Sequence, residues 1–236
     1  PLTGNLPSTS GGAYKSEDGG RTWSRINCGI QQNGGRTTAV YADPANSLHA
    51  ILAISGGETS FFGEGIPAGK YIEGGIYATT DGGATWQRLN AAPNDERSEY
   101  VYFRAASSNP FMLFTFALNR DNPDLSPGFL KSIDGGNTWS QFAPSMQNKA
   151  ITYFDVSADG MRLYAIADSD LDRALYRSND AENTWEQFPI FSSGYTLTVS
   201  PQDVNRVLFG QIDGLYLSTD GLGTSNRVLS SDERMS

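Results

Sequence analysis

Ser16-Glu17-Asp18-Gly19-Gly20-Arg21-Thr22-Trp23 is the stretch that decides how this chain folds, because it is echoed at residues 79–86, 132–139, 178–185 and 218–225. The shared pattern is Ser/Thr-x-Asp-x-Gly-x-Thr-Trp. Its aspartates, Asp18, Asp81, Asp134, Asp180 and Asp220, stand 63, 53, 46 and 40 residues apart, which is the period of propeller blades rather than of helical repeats. A short strand-like run precedes every box (Gly-Ala-Tyr-Lys at the first, Gly-Phe-Leu-Lys at the third), and the tryptophan with its followers starts another. Each box is therefore a hairpin turn. The aspartate accepts hydrogen bonds from backbone N–H groups just beyond it, glycine supplies positive φ, and the indoles of Trp23, Trp86, Trp139 and Trp185 cover apolar surface beside the turn. These residues are read as structural, not catalytic.

Upstream of each later box lies a second pattern of strand, turn and strand, at residues 38–54, 101–116, 152–167 and 197–211, with Asp-Pro, Asn-Pro, Asp-Gly and Ser-Pro in the turns. One repeat is thus four strands, A to D, with the box between C and D. The expected fold is an all-β propeller of four-stranded antiparallel blades in a single domain, residues 1–236. The chain opens near strand C of a first blade and supplies four more, about five in all. The first blade is completed by residues 1–10 and the C-terminal tail, or the chain is part of a larger propeller. At 236 residues, such a domain buries roughly 70 to 75% of its unfolded surface.

The boxes resemble the Asp-box, or bacterial neuraminidase, repeat of sialidases, xyloglucan-cleaving hydrolases, sortilin-type receptors and the photosystem II stability and assembly factor. Box four departs from the pattern with Glu182 in a glycine position, and box five with Leu222 and Ser225 in place of Gly and Trp. Both turns are expected to be looser. The resemblance implies a carbohydrate-active or carbohydrate-binding propeller related to glycoside hydrolases, with a non-catalytic protein-interaction or assembly propeller as the alternative. It also implies export to an extracellular or periplasmic compartment.

A net charge of −9 argues against nucleic acid or an anionic membrane as the main partner. The longest apolar run, residues 111–118, is too short to cross a bilayer and fits a buried strand. Cys28 is the only cysteine and His49 the only histidine, so disulfides, cysteine-rich metal sites and Ser-His catalysis have no partners to draw on. No metal or cofactor is expected.

In a four-stranded meander the A–B and C–D turns share one end of the blade and the B–C loops share the other. The long insertions, residues 55–74, 118–128 and 168–173, all fall in B–C loops, so the ligand face is expected opposite the boxes. The first insertion mixes Phe61, Phe62 and Tyr71 with Glu58, Glu64 and Glu73. Aromatic rings suit the C–H face of a pyranose, and carboxylates accept from its hydroxyls. The second offers Asn119, Arg120, Asp121 and Asp124, and the third Asp168, Asp170, Asp172 and Arg173. Alternating acids in the third resemble a calcium loop but lack its glycine and distal glutamate.

A glycosidase needs two carboxylates, and the candidates are Asp121, Asp168 and Glu64. A sialidase needs arginines for the substrate carboxylate. Arg36, Arg104, Arg120 and Arg173 approach that face, but the Phe-Arg-Ile-Pro signature of sialidases is missing. Xyloglucan-cleaving relatives, as a family, hold substrate between two propellers, and this chain contains one at most. A glycan or oligosaccharide is the expected partner, with a protein as the second choice.

Overall fold

The computed structural model describes residues 12–30, 37–58, 71–92, 97–119, 122–168, 173–181, 183–190 and 194–230. Strands β1 (Tyr14–Lys15) and β2 (Ser24–Arg25) form a two-stranded sheet. The second sheet joins β3 (Thr37–Ala42), β4 (Ala50–Ile54), β7 (Gly75–Thr79) and β8 (Gln87–Leu89), while β5 (Gly57–Glu58) and β6 (Tyr71–Ile72) make a small ribbon inside its B–C loop. The third runs β9 (Ser98–Ala106), β10 (Asn109–Asn119), β11 (Gly128–Ser132) and β12 (Ser140–Phe142). The fourth runs β13 (Ile151–Val156), β14 (Leu163–Asp168), β15 (Arg173–Ser178) and β16 (Glu186–Pro189). The fifth runs β17 (Gly194–Val199), β18 (Val207–Gln211), β19 (Gly214–Ser218) and β20 (Asn226–Ser230). All pairs are antiparallel and follow sequence order, so the fold is an all-β propeller that shows, among the described residues, four complete blades and one two-stranded blade. Residues 1–10, expected with the C-terminal tail to complete the first blade, lie outside the described residues, as do residues 231–236 of that tail.

Each junction between neighbouring sheets is filled by its own apolar cluster, because strands B and C are apolar on both faces. Phe114, Phe116 and Phe129 meet Phe154, Ala165 and Tyr176 between the third and fourth blades. Ile51, Ile76 and Ala78 meet Tyr100, Leu113 and Leu130 between the second and third. Tyr164, Ile166 and Leu175 meet Leu197, Val207 and Phe209 between the fourth and fifth. The innermost strands β3, β9, β13 and β17 touch one another in succession.

The boxes are hydrogen-bonded turns with one recurring wiring. Asp18 accepts through one oxygen from Thr22 N (2.8 Å) and through the other from Thr22 Oγ1 (2.6 Å), while Ser16 Oγ accepts from Gly20 N (2.7 Å) and donates to Asp18 (2.9 Å). Box two repeats this with Thr79, Asp81, Gly83 and Thr85, and box three with Ser132, Asp134, Gly136 and Thr138. These bonds favour the ionised carboxylate. The Thr22 side chain foremost holds Asp18 at about 2, and the Thr85 side chain does the same for Asp81.

Box four is looser, as expected: Thr184 N lies 3.4 and 3.3 Å from the two oxygens of Asp180. Box five is not. Leu222 N donates to Ser218 Oγ at 2.8 Å and Thr224 N to Asp220 at 2.9 Å, with Asp220 held at about 2 by the Thr224 backbone and side chain. Leu222 tolerates the glycine position by adopting φ 81° while its side chain is buried in the core behind the turn. Packing there offsets a strain of about 1–3 kcal/mol.

Candidate functional site

The two ends of the blades are separated as topology requires. On one end, box turns bond to the A–B turn of their own blade: Gly82 N to Leu48 O, Gly135 N to Phe111 O and Gly221 N to Asn205 O, at 2.8–2.9 Å. On the other end, where strand A begins and strand B finishes, lies a cleft of about 430 Å³ lined by Thr37, Thr38, Glu99, Tyr102, Leu118 and Thr152 among others. It draws on three successive innermost strands, β3, β9 and β13. No box tryptophan lines it.

A local irregularity shapes this cleft. In each of the four complete blades the pairing of strand A with strand B slips by one residue. Thr37 opposes Ile54 and Ala39 opposes Ala53; Ile151 opposes Ala167 and Tyr153 opposes Ile166; Gly194 opposes Gln211 and Thr196 opposes Gly210. In β9 the extra residue falls between Val101 and Arg104. The bulged residues are therefore Thr38, Thr152, Tyr195 and, in β9, Tyr102, which alone takes a left-handed φ of 41°. A bulge turns a side chain off the regular pleat. Thr38, Tyr102 and Thr152 accordingly line the cleft side by side. A non-glycine residue in this conformation stores about 1–3 kcal/mol of strain that its surroundings must hold.

Tyr102 is braced from behind. Arg104 lies over the Tyr102 ring at 4.9 Å and over the Tyr153 ring at 5.0 Å, the two rings being 5.0 Å apart. Its Nη2 donates to Tyr153 Oη (2.7 Å), its Nη1 to Phe103 O (3.1 Å), and its Nε lies 3.5 Å from Asp155. Asp155 in turn accepts from Thr198 Oγ1 (2.9 Å) and Val199 N (3.0 Å). The ladder ties three inner strands together and leaves Tyr102 42% exposed at the cleft. Thr38 Oγ1 is buried with no partner among the described residues.

The sequence candidates divide into three groups. Phe61, Phe62, Glu64, Arg120, Asp121, Asp170 and Asp172 lie outside the described residues, and Tyr71 is placed only by its backbone in β6. Four others, Glu73, Asn119, Asp168 and Arg173, sit at the roots of the B–C loops, and none of them lines the cleft. Gly56 N bonds Ser98 O (3.1 Å), and Asp168 N bonds Ala150 O (3.2 Å), which anchors the first and third loops at the rim. Asn119 is fully buried, bonding Ser126 Oγ through its N–H and accepting from Asn122 N, so it clips the second loop shut. Asp168 pairs with Arg173 at 3.0 Å, and Glu73 with Arg88 at 3.3 Å. Asp124 is exposed in the 3-10 turn Pro123–Leu125. Arg104 is spent on its ladder rather than on a ligand carboxylate. Sequence reasoning missed Thr38, Tyr102, Thr152 and Glu99, since a bulge has no composition signature. No described cluster of three or more His, Cys, Asp or Glu has metal-holding geometry.

No family model matches the sequence, and no curated protein matches it. Among solved structures, the chain is similar to an ancestral GH74 enzyme (TM-score 0.56, 18% identity, covering 88% of this chain and 25% of that one). It is also similar to the GH74 xyloglucanase from Xanthomonas campestris (TM-score 0.53, 15% identity, 94% and 42%) and to YCF48 bound to D1 peptide (TM-score 0.52, 13% identity, 91% and 73%). The chain spans a quarter to less than half of the GH74 structures. At these identities the likeness shows the propeller fold.

Proposed function

We propose that this chain is a carbohydrate-binding propeller, holding a neutral glycan in the cleft opposite the boxes. The observation that carries this reading is the set of matched bulges bringing Thr38, Tyr102 and Thr152 together with Glu99 around one cleft of about 430 Å³. The Tyr102 ring offers a stacking plane for a pyranose, and the hydroxyls and carboxylate offer acceptors and donors for its rim. No described cation lines the cleft, which favours a neutral sugar over an acidic one. The unpartnered Thr38 hydroxyl is the kind of group a ligand or ordered water completes.

Hydrolysis would add a second carboxylate about 5–10 Å across the scissile bond from the first. Glu99 is the one carboxylate among the described lining residues, and the candidates Asp121 and Glu64 fall outside them. Binding is therefore the reading adopted. A second reading, an assembly propeller of the photosystem II stability type, draws on the fold shared with YCF48 bound to D1 peptide. Export to an extracellular or periplasmic compartment is part of the proposal, since glycans are found there.

Calorimetric titration with neutral oligosaccharides, including xyloglucan fragments, with sialyl-oligosaccharides and with short peptides tests all three. The expected result is binding of a neutral oligosaccharide that falls at least tenfold in Tyr102→Ala, a loss of about 1.4 kcal/mol, with no reducing ends released. Binding undiminished in that variant, or peptides binding where every sugar fails, overturns it.

A further inference from the structure

The end of the propeller that carries the boxes has a feature that turn chemistry does not require. Leu48, Phe111 and Met161 occupy one structural position in three successive blades. Each stands two residues before the B-strand residue (Ala50, Leu113, Leu163) that pairs with the first residue of the box (Thr79, Ser132, Ser178). All three are large and apolar, and all three are about half exposed, at 52%, 54% and 52%. Ile133, inside the third box, is 69% exposed beside Phe111's turn. Single exposed apolar residues are ordinary. The same exposure at the same register in three adjacent blades is a pattern, and exposed apolar surface rimmed by polar residues marks a contact site.

Leu48 and Phe111 are held in place. A methyl group on Gly82 would meet Leu48 at 3.3 Å, and one on Gly135 would meet Phe111 at 3.4 Å, so each side chain leans on the glycine of its own box. The row stops at the fifth blade, where the equivalent residue is Asn205, whose Oδ1 accepts from Arg162 at 2.5 Å.

The ground around the row is acidic. Asp43 and Asp159 lie in the same A–B turns, and Asp81 and Asp134 in the adjoining boxes. Of the nearby cations, Lys15 is answered by Glu17 at 3.1 Å, while Arg162 bonds the neutral Asn205 and Val204 and keeps its charge, which leaves the carboxylates in excess. Packed sheets are about 10 Å apart, and an extended chain in the polyproline II conformation returns to the same face every three residues, a span of about 9 Å. We infer that the box face docks a basic, extended peptide segment that places an apolar side chain at every third residue over Leu48, Phe111 and Met161. Its cationic side chains answer the turn carboxylates, which gives charge complementarity on top of apolar contact.

Fluorescence anisotropy on the full chain tests this with a labelled peptide of repeated Leu-Lys-Lys, against Ser-Lys-Lys and Leu-Glu-Glu controls. The expected result is saturable micromolar binding of Leu-Lys-Lys alone, weakened by about tenfold or more in the Phe111→Ser/Met161→Ser double variant. Both positions are surface residues, and a thermal melt and a circular dichroism spectrum matching the parent verify that the variant is folded. Equal binding of Ser-Lys-Lys, equal binding by the double variant, or no binding of any peptide overturns the inference. Because the cleft is read separately by its sugar titration, failure on the box face leaves the glycan proposal standing, and the reverse is also true.

Discussion

The two ends of the blades use unusual backbone for opposite ends. At the boxes, positive φ at Gly19, Gly82 and Gly135 falls on residues that adopt it without strain, and the turn N–H groups are answered by the box itself or by the adjoining end of the A–B hairpin, as Gly82 N is by Leu48 O. At the cleft, positive φ falls on Tyr102, a residue that resists it, and a hydroxyl on Thr38 is left unanswered among the described residues. A turn optimised for stability hides its polar groups, whereas a surface meant to receive something leaves them ready. The same scaffold therefore keeps its self-satisfied turns and its sugar cleft at separate ends.

The largest effect that bears on this contrast should come from removing one hydroxyl at each end. Ser132 is buried, and its Oγ accepts from the buried Gly136 N at 2.8 Å. Ser132→Ala strands that N–H, and we expect a loss of about 1–3 kcal/mol, read as a lower urea midpoint at constant slope. Thr152→Ala removes a hydroxyl whose nearest acceptor, Ile166 O, is 3.5 Å away, and stability should move by no more than about 0.5 kcal/mol. Equal losses in the two variants would erase the distinction.

A sharper version holds the backbone constant. Leu222 and Tyr102 both carry left-handed φ, at 81° and 41°. Glycine relieves about 1 kcal/mol of strain at either place. Leu222→Gly also removes a side chain only 7% exposed, so we expect a net loss of about 1–3 kcal/mol. Tyr102→Gly gives up a half-exposed ring, and stability should stay level or rise while oligosaccharide binding disappears. A Tyr102→Gly protein that binds sugar normally would show that the strain serves the fold and not the site.

The parts of this arrangement that could be read in the sequence are those written in local chemistry. Asp81 and Thr85 recur at a fixed offset because the carboxylate takes both its threonine bonds four residues on, so blade number and box face were legible at once. The face of the B–C loops followed from strand count alone. Box five was misjudged because the consensus position of Leu222 looked only like a lost glycine, while the buried cluster that holds its side chain is assembled by residues such as Leu197 and Phe209, far away in the chain. The bulges were invisible for the same reason. Thr38 and Tyr102 read as ordinary members of an inner strand, and only the register against Ile54 and Phe114 reveals the extra residue.

The smallest effect is one of pH, and it should be confined to the box end. Asp18, Asp81 and Asp220 are held at about 2 against an ordinary 3.8, in the first two chiefly by the threonine side chain and in the third by the threonine backbone. Asp134 also lies below its ordinary value, since burial there opposes the bonds from Thr138 and Ser132 without overcoming them. A carboxylate depressed on folding stabilises the native state above its unfolded value, and that contribution is lost as pH falls through the folded one. Acid unfolding followed by circular dichroism should therefore begin below about pH 4 and steepen toward pH 2. Asp81→Asn keeps the shape and an acceptor oxygen but has no charge to lose. It should be less stable than the parent at pH 7, with the gap narrowing as pH approaches 2, because the parent aspartate is then becoming neutral as well. A gap that stayed constant across this range would mean that the box depends on the shape of the side chain and not on its charge, and the acidity of the underside would then be free to serve a partner.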